Sequence, residues 1–498
     1  MAETADDHSL HRAPRALAWS FANALASRLG TFAIGIAMAR MLGPREFGTF
    51  AVAYLALMAA LSFNELGVSL AIVRWDRDPS ELAATVTTIA VVMSVVVAGG
   101  IWVVAPAFSQ AMGDPGATDV VRVLGLTVIV SGVVATPAAL LQRTFRQRER
   151  LIADQVNVWA GALTSLAAVL AEQGAMSLAI GRVVGSLAGA VLLLRYSPLP
   201  WRLGLRRPLL RPLLAFGVPL AGSSIVVFAL GYVDQLVAGR DLGTLELGYY
   251  ALAVNLAAWP LTIFSVPLRS VAPAVFARLR GDRPATFASL ARLVGVLASA
   301  TMPVCFLLAG GSAAIVRFVY GVAWQPAALV LISLGALAGC RILIELLYDF
   351  VVVVGSAQSI LRIQVVTLLI TVPAVVVGSR IGRGPGIAAA QLGVAVVVVF
   401  PLYLTHLRGL GMTISSLLRP LVLPAIASIA ASGLGYVASE RWDSAGYGAI
   451  AAGLIALVCA ALLLVRQREA LRELQSVLRQ DRRDPGLEPG PASERDSE

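Results

Sequence analysis

Apolar residues occur along this chain in long, nearly uninterrupted runs that are separated by short polar segments. The runs recur from Leu17 to Val465 and reach about 20 residues, the length at which a helix crosses a bilayer. The pattern predicts an all-α polytopic membrane protein with about fourteen transmembrane helices. They are expected at residues 17–38, 47–73, 83–108, 119–141, 152–171, 175–194, 213–238, 247–276, 286–310, 325–354, 359–378, 385–405, 417–438 and 445–465.

The composition agrees with a membrane protein and excludes several other classes. The chain is 58% hydrophobic and 14% charged, whereas a soluble domain carries about 25% charged residues. Its three cysteines lie inside apolar runs and its three histidines do not form a cluster, so neither a disulfide framework nor a metal site is expected. The segments between the spans are too short for a soluble catalytic domain. No catalytic residue and no cofactor are therefore predicted.

The distribution of positive charge predicts the orientation. All 39 basic residues are arginines, and most of them lie in alternate inter-span segments, on the same side as the amino terminus. Cytoplasmic segments are the ones that carry an excess of positive charge, so both termini are expected in the cytoplasm. The net charge of +10 then follows from the topology, and no nucleic-acid partner is needed to explain it.

A short sequence occurs twice, as ARMLGPREFGTFA from Ala39 (the first copy) and as GRDLGTLELGYYA from Gly239 (the second copy). Arg40, Gly43 and Gly48 recur as Arg240, Gly243 and Gly248, at a constant offset and without a gap. The copies join predicted spans 1 and 2 and predicted spans 7 and 8, so both emerge on the outer face. Coincidence in a chain rich in glycine and leucine is the alternative, but the placement favours a parallel duplication of six-helix lobes.

The duplication predicts how the chain is divided. Residues 1–211 form an amino-terminal lobe with helices 1–6, and residues 212–410 form a carboxy-terminal lobe with helices 7–12. Two additional helices follow at 411–465. Residues 466–498 are charged and rich in proline, which predicts a cytoplasmic tail that is partly disordered.

The chain resembles a known family at these residues. A first span followed by ARMLGPREFGTFA, and a second span that ends in NELGVSLAIVRW, look like the polysaccharide-biosynthesis flippases of the lipopolysaccharide (O-antigen) type. Their superfamily also contains multidrug exporters and lipid II flippases. The resemblance is sharpest over 15–75 and recurs weakly over 213–276, where Thr244 replaces the proline of the first copy. It implies a multi-pass protein of the bacterial cytoplasmic (inner) membrane.

Two arginines inside spans are candidates for substrate binding. Members of the resembled family carry a saccharide on a polyprenyl pyrophosphate, and the planar guanidinium group suits phosphate oxygens. Arg28 in span 1 and Arg269 in span 8 are therefore expected to bind the headgroup, since the resemblance implies that these spans line the central cavity. The alternatives are an ion pair between Arg28 and Glu65, and an Arg269 side chain that extends to the cytoplasmic surface.

Other ionisable residues at membrane depth are candidates for coupling or gating, because charges there are functional by default. Asn64 and Glu65 lie in the inner half of span 2, and Asp234 lies near the outer end of span 7. Helix packing is the alternative for Glu65, and pairing with the nearby Arg240 is the alternative for Asp234.

Span 10 carries Arg341 and Glu345, which are four residues apart. They are gating candidates, and a simple intrahelical ion pair is the alternative.

The leading hypothesis is a flippase that moves a polyprenyl-pyrophosphate-linked oligosaccharide or polysaccharide repeat unit across the cytoplasmic membrane by alternating access. A multidrug exporter with the same fold is one alternative, although Arg28 and Arg269 would repel cationic drugs. A membrane polysaccharide polymerase or glycosyltransferase is a second alternative, disfavoured by the short loops. A polymerase or glycosyltransferases are candidate partners, in addition to the lipid-linked substrate.

Overall fold

The computed structural model describes residues 12–63, 67–75, 78–278, 283–354, 357–441 and 445–468. Within these ranges the regular structure is helical throughout, without a strand. The α-helices are α1 Arg12–Phe63, α2 Ser69–Arg74, α3 Pro79–Ala111, α4 Thr118–Arg143, α5 Gln147–Leu170, α6 Met176–Tyr196, α7 Arg207–Leu242, α8 Thr244–Arg278, α9 Arg283–Gly310, α10 Ser312–Val319, α11 Pro326–Val354, α12 Ala357–Val394, α13 Phe400–Gly409, α14 Ile414–Arg441 and α15 Ala445–Arg466.

These helices confirm the predicted fold class. Helix α1 contains two predicted spans, because its backbone leaves the helical conformation at Gly43. Helix α12 contains a similar break at Gly382 and Arg383, and its second half continues through a π turn into α13. Among the described residues, ten helical segments are long and apolar enough to cross a membrane. One of the ten, 358–409, contains two predicted spans.

The second predicted span, 47–73, is interrupted in the structure. Helix α1 ends at Phe63 and α2 begins at Ser69. Between them Gly67 has a φ of +65°, a conformation that glycine adopts without the steric penalty of a Cβ atom. A Cβ atom there would also lie 2.4 Å from Leu220 of α7. Hydrophobicity alone did not reveal this turn, because apolar residues continue on both sides of Asn64 and Glu65.

The described residues form two compact units. Unit A takes its residues from Met1–Leu256, Val316–Leu331 and Gln364–Val394, and unit B from Ala257–Ile315, Ile332–Ile363 and Ala395–Glu498. The predicted lobe boundaries follow the sequence repeat instead, and this division stays a prediction.

Unit A has two apolar clusters that position the first copy of the repeat. In one cluster Leu57 of α1 packs with Leu124 of α4 and Ala179 of α6. In the other, Ile72 of α2 packs with residues of α3, α4 and α7, including Leu213. The first cluster packs α1 against α4 and α6, and the second packs α7 against α2, α3 and α4. The first copy of the repeat, which lies within α1, is therefore held in a defined position.

Unit B is built around α9. Gly310 lies so close to α14 that a Cβ atom would be 2.1 Å from the carbonyl oxygen of Ser432. At the other end of α9, Phe287 packs near Phe350 of α11, and Phe350 also makes an edge contact with Phe276 at 5.0 Å between ring centroids. Small residues and stacked aromatic rings thus hold these helices together, as expected where helices pack closely in a bilayer.

Candidate functional site at the repeated loops

The two copies of the repeated sequence have the same backbone conformation. Gly43 has φ 72° and ψ 173°, and Gly243 has φ 85° and ψ 177°. In each copy the next residue begins a helical segment, Pro44 in the first copy and Thr244 in the second. Proline is favoured at the first position of a helix, where its missing N–H would have no intrahelical partner. The proline-to-threonine difference therefore leaves the shape of the turn unchanged.

The two copies cross each other at their second glycines. A Cβ atom on Gly48 would lie 2.0 Å from the carbonyl oxygen of Thr244, and one on Gly248 would lie 2.1 Å from that of Pro44. The contact is reciprocal. Gly48 of the first copy meets Thr244 of the second, and Gly248 of the second copy meets Pro44 of the first, which is the residue equivalent to Thr244. Such an exchange of equivalent contacts is the signature of an approximate two-fold axis. We refer to this contact as the repeat crossing.

Trp324 covers the crossing and contacts both copies. Its ring makes edge contacts with Phe47 of the first copy at 5.5 Å and with Tyr249 of the second at 6.2 Å. Its Nε1 donates a hydrogen bond to the carbonyl oxygen of Ala39 at 3.2 Å, and the side chain is 1% exposed. Tyr320 packs on the same ring, and burial raises the pKa of Tyr320 to about 12. Trp324, Phe47, Tyr249 and Tyr320 therefore form an uncharged aromatic cluster, which we call the cap.

Arg40 ties the first copy to the end of a short helix. Its guanidinium group donates to the carbonyl oxygens of Phe318 and Val319, the latter at 2.7 Å. These are terminal residues of α10, where carbonyl groups lack intrahelical partners and the helix dipole favours a cation. Arg40 and the equivalent residue of the second copy, Arg240, are both exposed, so the two copies differ in this attachment and not in burial.

The equivalent glutamates of the two copies make equivalent attachments. Glu46 accepts a hydrogen bond from the backbone N–H of Ala175 at 2.8 Å, at the turn between α5 and α6. Glu246 forms an ion pair with Arg383 at 3.0 Å, at the break inside α12. These turns join predicted spans 5 and 6 and predicted spans 11 and 12, which occupy the same places in the two predicted lobes.

A cavity of about 260 Å³ begins one helical turn from the crossing. Its walls come from α1, α7 and α8, all within unit A. Among the residues that the structure describes, none that lines the cavity is charged; the walls are aromatic rings, small residues and the amides of Gln235 and Asn255. The lining residues are Phe47, Phe50, Ala51, Tyr54, Tyr232, Gln235, Ala251, Val254 and Asn255.

Three of the residues predicted to act in coupling or gating have described side chains. Asp234 is 3% exposed and accepts a hydrogen bond from the hydroxyl group of Tyr250 at 2.9 Å. Arg341 and Glu345 lie one turn apart on α11 in unit B, and both are partly buried. Among the residues that the structure describes, no three His, Cys, Asp or Glu side chains are grouped as metal ligands.

The remaining predicted site residues cannot be placed in the same way. Arg28 and Arg269 lie on α1 and α8, but their side chains are outside those that the structure describes. Asn64 and Glu65 fall in the undescribed stretch between α1 and α2. Their predicted roles stay predictions.

Sequence reasoning missed the cap and the cavity lining. Trp324 follows a short helix and carries no motif of its own. Tyr232 and Gln235 flank the predicted Asp234, and Asn255 interrupts an apolar helix just after the second copy. Uncharged polar residues inside apolar spans, such as Gln235 and Asn255, are thus a usable signal for a cavity lining.

With this geometry known, comparison with known proteins identifies the family. A model for the family described as polysaccharide biosynthesis protein matches residues 37–329, more than half of the chain. The chain belongs to this family. The matched region contains both copies of the repeat, the crossing and Trp324, and it confirms the resemblance that the repeated loops indicated.

Individual relatives agree with the family and the fold. The succinoglycan biosynthesis transport protein ExoT of Rhizobium meliloti (strain 1021) is 24% identical over 344 residues, covering 67% of this chain and 68% of its own. A structure of the lipid II flippase MurJ in an inward closed conformation is 12% identical, covers 91% of this chain and 100% of its own, and has a TM-score of 0.74. An inward-facing MATE multidrug transporter is 14% identical, covers 76% of this chain and 95% of its own, and has a TM-score of 0.61. These structural similarities show a shared fold.

Proposed function

We propose that this protein is a flippase that carries a polyprenyl-pyrophosphate-linked saccharide from the cytoplasmic to the outer leaflet of the bacterial inner membrane. The family assignment and the transport role named for the Rhizobium relative support this function. The fold shared with a lipid II flippase is compatible with it. The observation that supports it most directly is the repeat crossing, where equivalent glycines of the duplicated loops meet beside a cavity.

The crossing is the closed gate in this proposal. With both termini in the cytoplasm, the repeated loops face outward, so the conformation described has its outer end shut. Backbone-to-backbone contact at Gly48 and Gly248 leaves no room for a substrate to pass. Transport by alternating access therefore requires the two copies to separate.

Arg28 and Arg269 bind the pyrophosphate in this proposal. A doubly charged headgroup is costly to place at membrane depth unless cationic partners accompany it, and arginine provides paired N–H donors to phosphate oxygens. Asn64, Glu65, Asp234, Arg341 and Glu345 are assigned to coupling and gating.

Reconstitution in proteoliposomes with a fluorescent, polyprenyl-pyrophosphate-linked saccharide tests the function directly. The intact protein should move the labelled lipid between leaflets, and Arg28→Ala or Arg269→Ala should reduce the rate at least about tenfold, the loss expected for a charged hydrogen bond. Arg202→Ala is a control, because Arg202 is exposed and lies outside the repeated loops. Full transport by both variants would overturn the headgroup assignment. Transport of cationic dyes without transport of the lipid would replace the flippase with the drug exporter.

A further inference from the structure

The cavity beside the crossing has a feature that the proposed headgroup site does not explain. Gln235 lines it and is only 8% exposed. The adjacent Asp234 accepts a hydrogen bond from the hydroxyl group of Tyr250. An amide group has both an acceptor and donors, so Gln235 can hydrogen-bond a polar ligand that occupies the cavity.

Two tyrosines in the wall are held by aromatic neighbours on their own helices. Tyr54 packs on Phe50 with 5.9 Å between centroids and an interplanar angle of 32°. Tyr232 stacks on Phe228 at 5.1 Å and 26°. A rigid aromatic ring offers a flat apolar surface, and its hydroxyl group adds a polar end. A pyranose ring has the complementary surface, with C–H groups on its faces and hydroxyl groups at its edge.

The charge and size of the cavity limit the ligand further. The nine lining residues that the structure describes carry no charge, so they provide no countercharge for a pyrophosphate group. A cavity of about 150 Å³ holds a benzene molecule, so the volume of about 260 Å³ is suited to one sugar ring.

We propose that this cavity is a saccharide subsite that binds one neutral sugar ring of the lipid-linked substrate. The Gln235 amide hydrogen-bonds ring hydroxyl groups, and Tyr54 and Tyr232 pack against the ring. Asn255, at the exposed end of the lining, contacts the following part of the glycan. The proposal rests on the proposed function and adds to it a contact region for the saccharide, next to the closed gate.

Binding measurements with two carriers separate this subsite from the flippase function. The full-length protein is titrated with polyprenyl pyrophosphate bearing a single neutral hexose and with polyprenyl pyrophosphate alone. The unmodified protein should bind the hexose-bearing carrier more tightly. Gln235→Leu should remove that preference, a loss of about tenfold or more when a hydrogen-bonding site loses its polar group, and should leave the affinity for the bare carrier unchanged. Gln173→Leu, which changes an exposed glutamine, is the control and should alter neither.

The alternative outcomes are distinguishable. If the unmodified protein binds neither carrier, the proposed function fails. If it binds both equally and Gln235→Leu changes nothing, the function stands and the cavity holds only water. Thermal unfolding identifies a merely structural glutamine, since a residue that binds the ligand alone can be replaced with leucine without a lower melting temperature. A lower melting temperature with both affinities reduced together would overturn the subsite.

Tyr232→Leu gives an independent second variant, and unchanged hexose preference in it would also count against the proposal.

Discussion

The two copies of the repeat share a backbone but differ in their side chains. Gly43 and Gly243 adopt the same left-handed conformation, and Gly48 and Gly248 make reciprocal contacts. The amide residues of the cavity, Gln235 and Asn255, however, flank the second copy on α7 and α8. At the same offset, Gln235 corresponds to Gly35 and Asn255 to Leu55, while the aromatic wall at Phe47, Phe50 and Tyr54 comes from the first copy.

The comparison shows which features of the duplication are geometric and which are specialised. The crossing requires the absence of a side chain on both copies, so both glycines are needed. The cavity needs one apolar wall and one polar wall to orient an amphipathic ligand, so the two copies have different side chains there. We infer that the crossing performs a mechanical role common to both halves and that the cavity residues determine what is carried.

The largest expected effect comes from adding a methyl group at the crossing. In Gly48→Ala or Gly248→Ala the new Cβ atom would lie about 2 Å from a backbone carbonyl oxygen, and a backbone cannot yield as a flexible side chain does. The copies should then be unable to close, and transport should fall at least tenfold, about 1.4 kcal/mol or more. Gly231→Ala is the control, because a Cβ atom there meets nothing within 4 Å. Equal activity of all three variants would show that the gate does not need this contact.

Trp324 provides the next largest effect, since it contacts both copies. Trp324→Ala should lower the free energy of unfolding by about 3–5 kcal/mol, as expected for truncation of a buried tryptophan. Trp324→Phe retains a ring but loses the hydrogen bond to Ala39, so its cost should be smaller. Denaturation of the purified protein in detergent measures both. A loss below about 1 kcal/mol in Trp324→Ala would mean that the cap does not hold the copies together.

The arginines should reveal the asymmetry between the copies. Arg40→Ala removes hydrogen bonds from a charged donor to two carbonyl oxygens, each worth about 1.5–3 kcal/mol at most. Arg240→Ala removes an exposed side chain and should stay within about 0.5 kcal/mol. Equal losses of stability in the two variants would contradict the contrast drawn between the copies.

The smallest effect is expected for the ion pair of the second copy. In the Glu246–Arg383 pair the Arg383 side chain is 67% exposed, and exposed pairs contribute about 0.2–1 kcal/mol. A double-mutant cycle with Glu246→Gln and Arg383→Gln should return a coupling energy in this range. Glu46→Ala should cost more than Glu246→Ala, because Glu46 accepts a hydrogen bond from a backbone N–H at a turn, and alanine has no acceptor to replace it. The reverse order would show that the exposed pair is the stronger attachment.

The sequence predicted the helical fold and the equivalence of the two loops, because both depend on local patterns. A run of apolar residues and a glycine at a constant offset can be read without tertiary contacts. The crossing itself was not predictable in this way, since it depends on where α1 and α8 meet. Trp324 lies in a different connection from either copy, and only the folded chain brings it to Phe47 and Tyr249.

Separation of the two copies during transport is the central claim, and cross-linking tests it most directly. Arg45→Cys and Leu245→Cys place thiols at equivalent exposed positions beside the crossing, in a protein whose three native cysteines are replaced. A short, cleavable bismaleimide should join them in the conformation described here, stop movement of the lipid-linked saccharide, and release the block on cleavage. Single-cysteine variants treated with the reagent should remain active. Cross-linked protein that transports at the rate of the unlinked protein would contradict the account.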